Sequence, residues 1–156
     1  MIEAPPILGP LEFAGVENQL ILIECDEGAC VLELLGAAIS YKDNIIFTPD
    51  EVMPAAYLGR GEILIANINS IAKINNTIRS INMNGSCADF FIIHRIDMMD
   101  IHFSKKERGA QINAYVSMMA SPKNLRGANV IVTSCLHEWK LREIADKFIS
   151  LRTQIQ

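Results

Sequence analysis

A chain of 156 residues, half of them apolar and about a fifth charged, is long enough to bury one core and too apolar to be a disordered segment. Its net charge of −4 is unevenly spread, −8 over residues 1–60, +1 over 61–120 and +3 over 121–156. The acidic front argues against sequence-independent nucleic-acid binding, which needs many phosphate contacts. No apolar run approaches the roughly 20 residues that cross a bilayer, so no membrane insertion is expected.

Pro5, Pro6 and Pro10 make residues 1–14 an extended arm, because proline cannot donate to a helix or a central strand. The arm has no basic n-region, so no secretory leader is expected, and residues 15–156 read as a single domain. QLILIEC and CVLELLG flank DEGA, and Gly28 supplies a turn. A hairpin there sets Cys25 opposite Cys30, with Ile21, Ile23, Leu32 and Leu34 on the same face. Cys25, Cys30, Cys87 and Cys135 show no CxxC spacing. The expectation is reduced thiols in the cytoplasm, with a site built from Cys25, Cys30 and a later cysteine as the sharper alternative. A second hairpin is expected at AISY and IIFT, followed by a strand at EILIA. GRG at 59–61 is too short to cradle a phosphate, and neither a P-loop nor a dinucleotide fingerprint occurs.

Ile68, Ile71, Ile74, Ile78 and Ile81 then recur every three or four residues, which predicts an amphipathic helix over about 67–82. Strand patterns resume at CADFFIIHRI, MDIHFSK, AQINAYVSMMA and NVIVTS. In AQINAYVSMMA, Ile112, Ala114, Val116 and Met118 share one face of a strand. Tyr115 and Met119 fall on the other, as candidates for contact with a helix or a partner. Lys105, Lys106 and Arg108 read as a solvated basic loop. HRIDMMDIH offers imidazole and carboxylate donors, His94, Asp97, Asp100 and His102. A hairpin centred on Met98 pairs His94 with His102, which makes His94, Asp100 and His102 weak metal candidates; a one-residue slip separates them.

TSCLHEW, residues 133–139, crowds thiol, imidazole, carboxylate and hydroxyls together. On a helix His137 lies about 200° from Cys135, so the pair does not face as nucleophile and base. The stretch reads as the start of a helix over about 136–155, with Thr133 or Ser134 as cap. Leu141, Ile144, Phe148, Leu151 and Ile155 form its seam, and Trp139 lies on the opposite side.

Together these patterns predict an α+β fold: antiparallel sheet of roughly seven to nine short strands, packed with two amphipathic helices. No catalytic residue and no cofactor is assigned. The favoured function is a non-enzymatic interaction protein (a small acidic adaptor, assembly factor or chaperone-like subunit) acting with a protein partner or as a homodimer. Trp139, Ile144, Phe148, Leu151, Tyr115 and Met119 are the partner-binding candidates. The alternative is a small-ligand or metal-dependent domain with a pocket between sheet and helix.

Overall fold

The apolar stretches that become strands all run in the same direction. In a computed structural model, which describes residues 16–26, 35, 43–49, 63–85 and 88–151, six strands form one sheet. They are β1 (Leu20–Cys25), β2 (Asn44–Thr48), β3 (Ile63–Asn67), β4 (Phe90–Ile93), β5 (Asn129–Ser134) and β6 (Lys147–Leu151). Their order is β3-β2-β4-β5-β1-β6, and every pairing is parallel. This overturns the expected antiparallel α+β sheet: the fold is α/β.

The physical reason is visible in β1, β2, β4 and β5, which are buried along their whole length. A strand covered on both faces needs apolar side chains at successive positions, as LILI, NIIF, FFII and NVIV supply. One face of the sheet presents Leu20, Leu22, Phe47, Phe91, Ile93, Val130 and Val132. The other presents Ile21, Ile23, Cys25, Ile46, Ile92 and Ile131 together with Leu35. β1 pairs with β5 and β6, so it is not half of a hairpin with residues 30–36. Apart from Leu35, that partner segment lies outside the described residues, as do AISY and the arm of residues 1–14.

The helices are α1 (Ile71–Met83), α2 (Lys105–Gln111), α3 (Ser117–Met119), α4 (Pro122–Leu125) and α5 (Trp139–Ile144), with a 3-10 turn at Ile96–Met98. α1 follows the isoleucine period, burying Ile71, Ile74 and Ile78. AQINAYVSMMA is helical and not a strand. α2 continues through a π-helical stretch, Ile112–Val116, into α3. Ile112, Val116 and Met119 are its buried positions, spaced four and three apart. Residues 94–104 are turns, so the hairpin centred on Met98 does not form.

The last helix is shorter than the expected 136–155. It spans Trp139–Ile144 and ends where Ala145 turns extended. Asp146 then donates its backbone N–H to the Leu20 carbonyl and accepts the Leu20 N–H on Oδ2, both at 2.8 Å. The chain is thereby seated beside β1, and Lys147–Leu151 becomes an edge strand that buries Ile149.

Handedness explains the layers. From β3 onward each connection moves the same way along the sheet, so right-handed crossovers place α1 to α5 on one face. β1 connects in the opposite direction, to β2, and Leu35 from that connection is buried on the opposite face. β1 and β5 are neighbours whose connections leave in opposite directions. This is the switch point at whose carboxyl end open α/β sheets bind ligands.

Candidate functional site

The carboxyl ends of β1 and β5 bring together residues far apart in sequence. Glu24, with no exposed surface, sits one step before the end of β1. Arg142 on α5 grips it with two N–H groups, Nε at 2.9 Å and Nη2 at 2.6 Å. The Glu138 N–H donates to it at 3.1 Å, and His137 Nδ1 lies 2.9 Å from Oε1. Burial alone pushes this carboxyl up, but the hydrogen bonds from Arg142, the Glu138 backbone and His137 outweigh it and hold the group below its ordinary value.

A second pair lies beside the first. Arg108 binds the buried Glu138 at 3.1 Å and donates to the carbonyls of Met99 and Ile96 at 3.2 and 2.5 Å. Ser134 Oγ stands 3.3 Å from Glu138 and 2.8 Å from the Leu136 carbonyl. A third pair joins Arg95 to Asp97 at 2.9 Å. Asp97 also accepts the Cys135 N–H at 3.1 Å. Burial raises the Asp97 carboxyl, yet Arg95 and that N–H bring it below its ordinary value.

At the end of β4, Thr133 Oγ1 accepts the Arg95 N–H at 2.8 Å and lies 2.9 Å from His94 Nδ1. Thr133 and Ser134 therefore serve β5 and the turn after it; the N-cap position of α5 is Glu138. Cys25 and Cys135 complete the cluster, with the Cys25 thiol donating to the Ser134 carbonyl at 3.6 Å.

The metal candidates are placed apart. His94 is buried against Thr133. Asp100 caps α1, accepting the Ile71 N–H at 3.0 Å. His102 is exposed and stacks on Phe103. Among the described residues no group of three His, Cys, Asp or Glu side chains is arranged to hold a metal ion.

The partner candidates divide by exposure. Trp139 is 66% exposed and Phe148 41%. Ile144 and Tyr115 lean on the core beneath the helices, Leu151 on that of the opposite face, and Met119 is wholly buried. The Arg142 guanidinium lies between the rings of Trp139 and Phe148, 4.8 and 4.3 Å from their centroids. His137 stacks on Trp139 at 5.7 Å, and exposed Leu136 precedes them.

Sequence reasoning missed Glu24, Arg108, Arg142 and the Cys25–Cys135 pair. The available signal was Glu24 itself, a charge closing the apolar run LILI, where a strand buried on both faces meets its carboxyl-end crevice.

This architecture has a solved counterpart. The fold is similar to that of a KaiC-like protein. That crystal structure, from the hyperthermophilic archaeon Pyrococcus horikoshii OT3, superposes with a TM-score of 0.57 at 14% identity, over 88% of this chain and 73% of the other. The likeness concerns the fold alone. No protein-family model and no curated protein sequence matches the chain. Among the described residues no helix is long and apolar enough to cross a membrane.

Proposed function

We propose that this chain is a non-enzymatic interaction protein that self-associates through the surface formed by Leu136, Trp139 and Phe148. One observation carries the reading: among the described residues, three arginines at the carboxyl end of the sheet are each held by a carboxylate. Arg142 is bound by Glu24, Arg108 by Glu138 and Arg95 by Asp97. A phosphate-binding loop needs backbone amides and a lysine after its strand; the sequence here continues from β1 with Asp26 and Glu27, and residues 26–41 contain no lysine.

The adjoining surface has the composition of an interface centre. A tryptophan and a phenylalanine clamp an arginine, and these are residue types that concentrate binding energy. Because Glu24 holds Arg142, which contacts both rings, the rings lose less side-chain freedom on association than unheld ones would. A second copy is the simplest partner for an aromatic patch whose central cation is already neutralised.

The test is the mass of the assembly at micromolar concentration, by native mass spectrometry and sedimentation. The wild type is expected to be an adduct-free dimer. Trp139→Ser with Phe148→Ser is expected to weaken association by more than about 100-fold, since aromatic hot spots each contribute at least ~2 kcal/mol. A monomeric wild type overturns the reading. A retained small-molecule or metal adduct moves it to the alternative of a ligand-binding domain.

A further inference from the structure

The two cysteines at the switch point are not used by the interaction surface. We propose that Cys25 and Cys135 form a redox-modification site, a dithiol that a peroxide closes to an intramolecular disulfide.

The register of β1 on β5 ends with Glu24 beside Ser134, so Cys25, the last residue of β1, and Cys135, the first residue after β5, come one step beyond it. Neighbouring strands lie about 4.8 Å apart, within the Cα separation of about 4.4–6.8 Å that a disulfide spans. Both side chains fall on the same side, Cys25 within the core of the face opposite the helices and Cys135 against its rim. The Cys25 thiol donates to the carbonyl of Ser134, the residue before Cys135, at 3.6 Å, which holds it at the start of that turn. The Asp97 carboxylate holds the Cys135 N–H and keeps the turn in place.

Exposure divides the roles. Cys135 is half-buried and meets the oxidant, whereas Cys25 is 2% exposed. Burial first, then the neighbouring Cys135 and Asp97, push the Cys25 thiol up to about 12, so it reacts only with a group already bound to Cys135. In the first step the Cys135 thiolate attacks one peroxide oxygen. The O–O bond breaks, giving Cys135 sulfenic acid and hydroxide, which is protonated to water. In the second step the Cys25 sulfur attacks the Cys135 sulfur. The S–O bond breaks, and the leaving hydroxide carries the Cys25 proton away as water. Two thiols lose two electrons, and one peroxide becomes two waters. The new bond ties β1 to the turn of residues 135–138 and does not depend on whether Leu136 and Trp139 meet a partner.

The test begins with the reduced full-length chain, freed of reductant and treated with equimolar hydrogen peroxide. Remaining thiols are then alkylated in denaturant, and the protein is digested and analysed by mass spectrometry. The expected result is an intact mass lower by two hydrogens and one linked peptide pair containing Cys25 and Cys135. Cys135→Ser is expected to abolish it and to leave Cys25 free. A linkage through Cys30 or Cys87, or Cys135 accumulating as sulfinic acid beside a free Cys25, overturns the proposal. Phenylarsine oxide, which bridges two adjacent thiols, provides a measurement on the wild type alone. It is expected to protect Cys25 and Cys135 together from alkylation, and failure to protect both overturns the proposal equally.

Discussion

Glu24 is a charged side chain with no exposed surface at the end of a strand of leucines and isoleucines. A buried carboxylate is tolerated only when its lone pairs are occupied, and Arg142 with the Glu138 N–H provides this. Glu24→Gln removes the charge-assisted bonds while keeping the shape. It is expected to cost on the order of 2 kcal/mol in urea unfolding at neutral pH. The pH dependence follows from the direction of the shifts. Glu24 and Asp97 are both held below their unfolded values of 4.5 and 3.8, so the unfolded chain binds protons more readily. Their contribution is complete above those values and is lost as pH falls through the lower folded ones. Thermal midpoints measured from neutral to acid should therefore drop for the wild type. The gap between wild type and Glu24→Gln should narrow at the acid end. A constant gap would mean that Glu24 is not ionised in the folded protein.

At the scale of the element, α1 and the segment of residues 105–119 make an instructive contrast. The isoleucines of α1 can be read in only one way, because every three or four residues matches a helix and no other structure. Ile112, Ala114, Val116 and Met118 also alternate, as a strand would, while Ile112, Val116 and Met119 fit a helix. Burial decided for the helix, and alternation of small and apolar residues was coincidental. The start of α1 is held by two oxygens. Ser70 Oγ accepts the Lys73 N–H at 3.3 Å, and Asp100 Oδ2 accepts the Ile71 N–H at 3.0 Å. Asp100→Ala leaves a buried N–H of the first turn without a partner. It is expected to cost about 1–2 kcal/mol, seen as a lower urea midpoint at unchanged slope. A metal role for Asp100 would instead make its replacement matter only when a divalent ion is present.

At the scale of the whole molecule, ion pairs join the described residues at the carboxyl ends of β1, β4 and β5, and an aromatic surface lies beside them. If that surface joins two copies, association stabilises the folded state by mass action, and the thermal midpoint rises with protein concentration. Trp139→Ser with Phe148→Ser should remove the concentration dependence while leaving the dilute midpoint nearly unchanged, since both rings lie largely outside the core. Ile149→Ala, at the buried position beside Phe148, should lower the midpoint at every concentration, through a loss of about 2–5 kcal/mol.

Much of the local structure was legible along the chain. LILIEC, NIIFT, ILIAN, FFII and NVIVTS are strands because runs of β-branched and aromatic residues suit a buried extended backbone. The isoleucine period made α1, whereas Phe148, expected on the seam opposite Trp139, lies with it around Arg142 because the helix ends at Ile144. Strand direction was not legible, since a buried apolar strand looks alike in parallel and antiparallel sheets until its neighbours are known. KFISL had to wait for tertiary structure as well: its apolar residues continue the helical period of Leu141 and Ile144, and only the Asp146–Leu20 bonds at the edge of β1 turn it into a strand. The bond of Glu24 with Arg142 and the packing of Cys135 against the cluster that holds Cys25 join residues more than a hundred positions apart. Such contacts carry no local pattern, because they exist only once parallel strands have brought the ends of the chain into register.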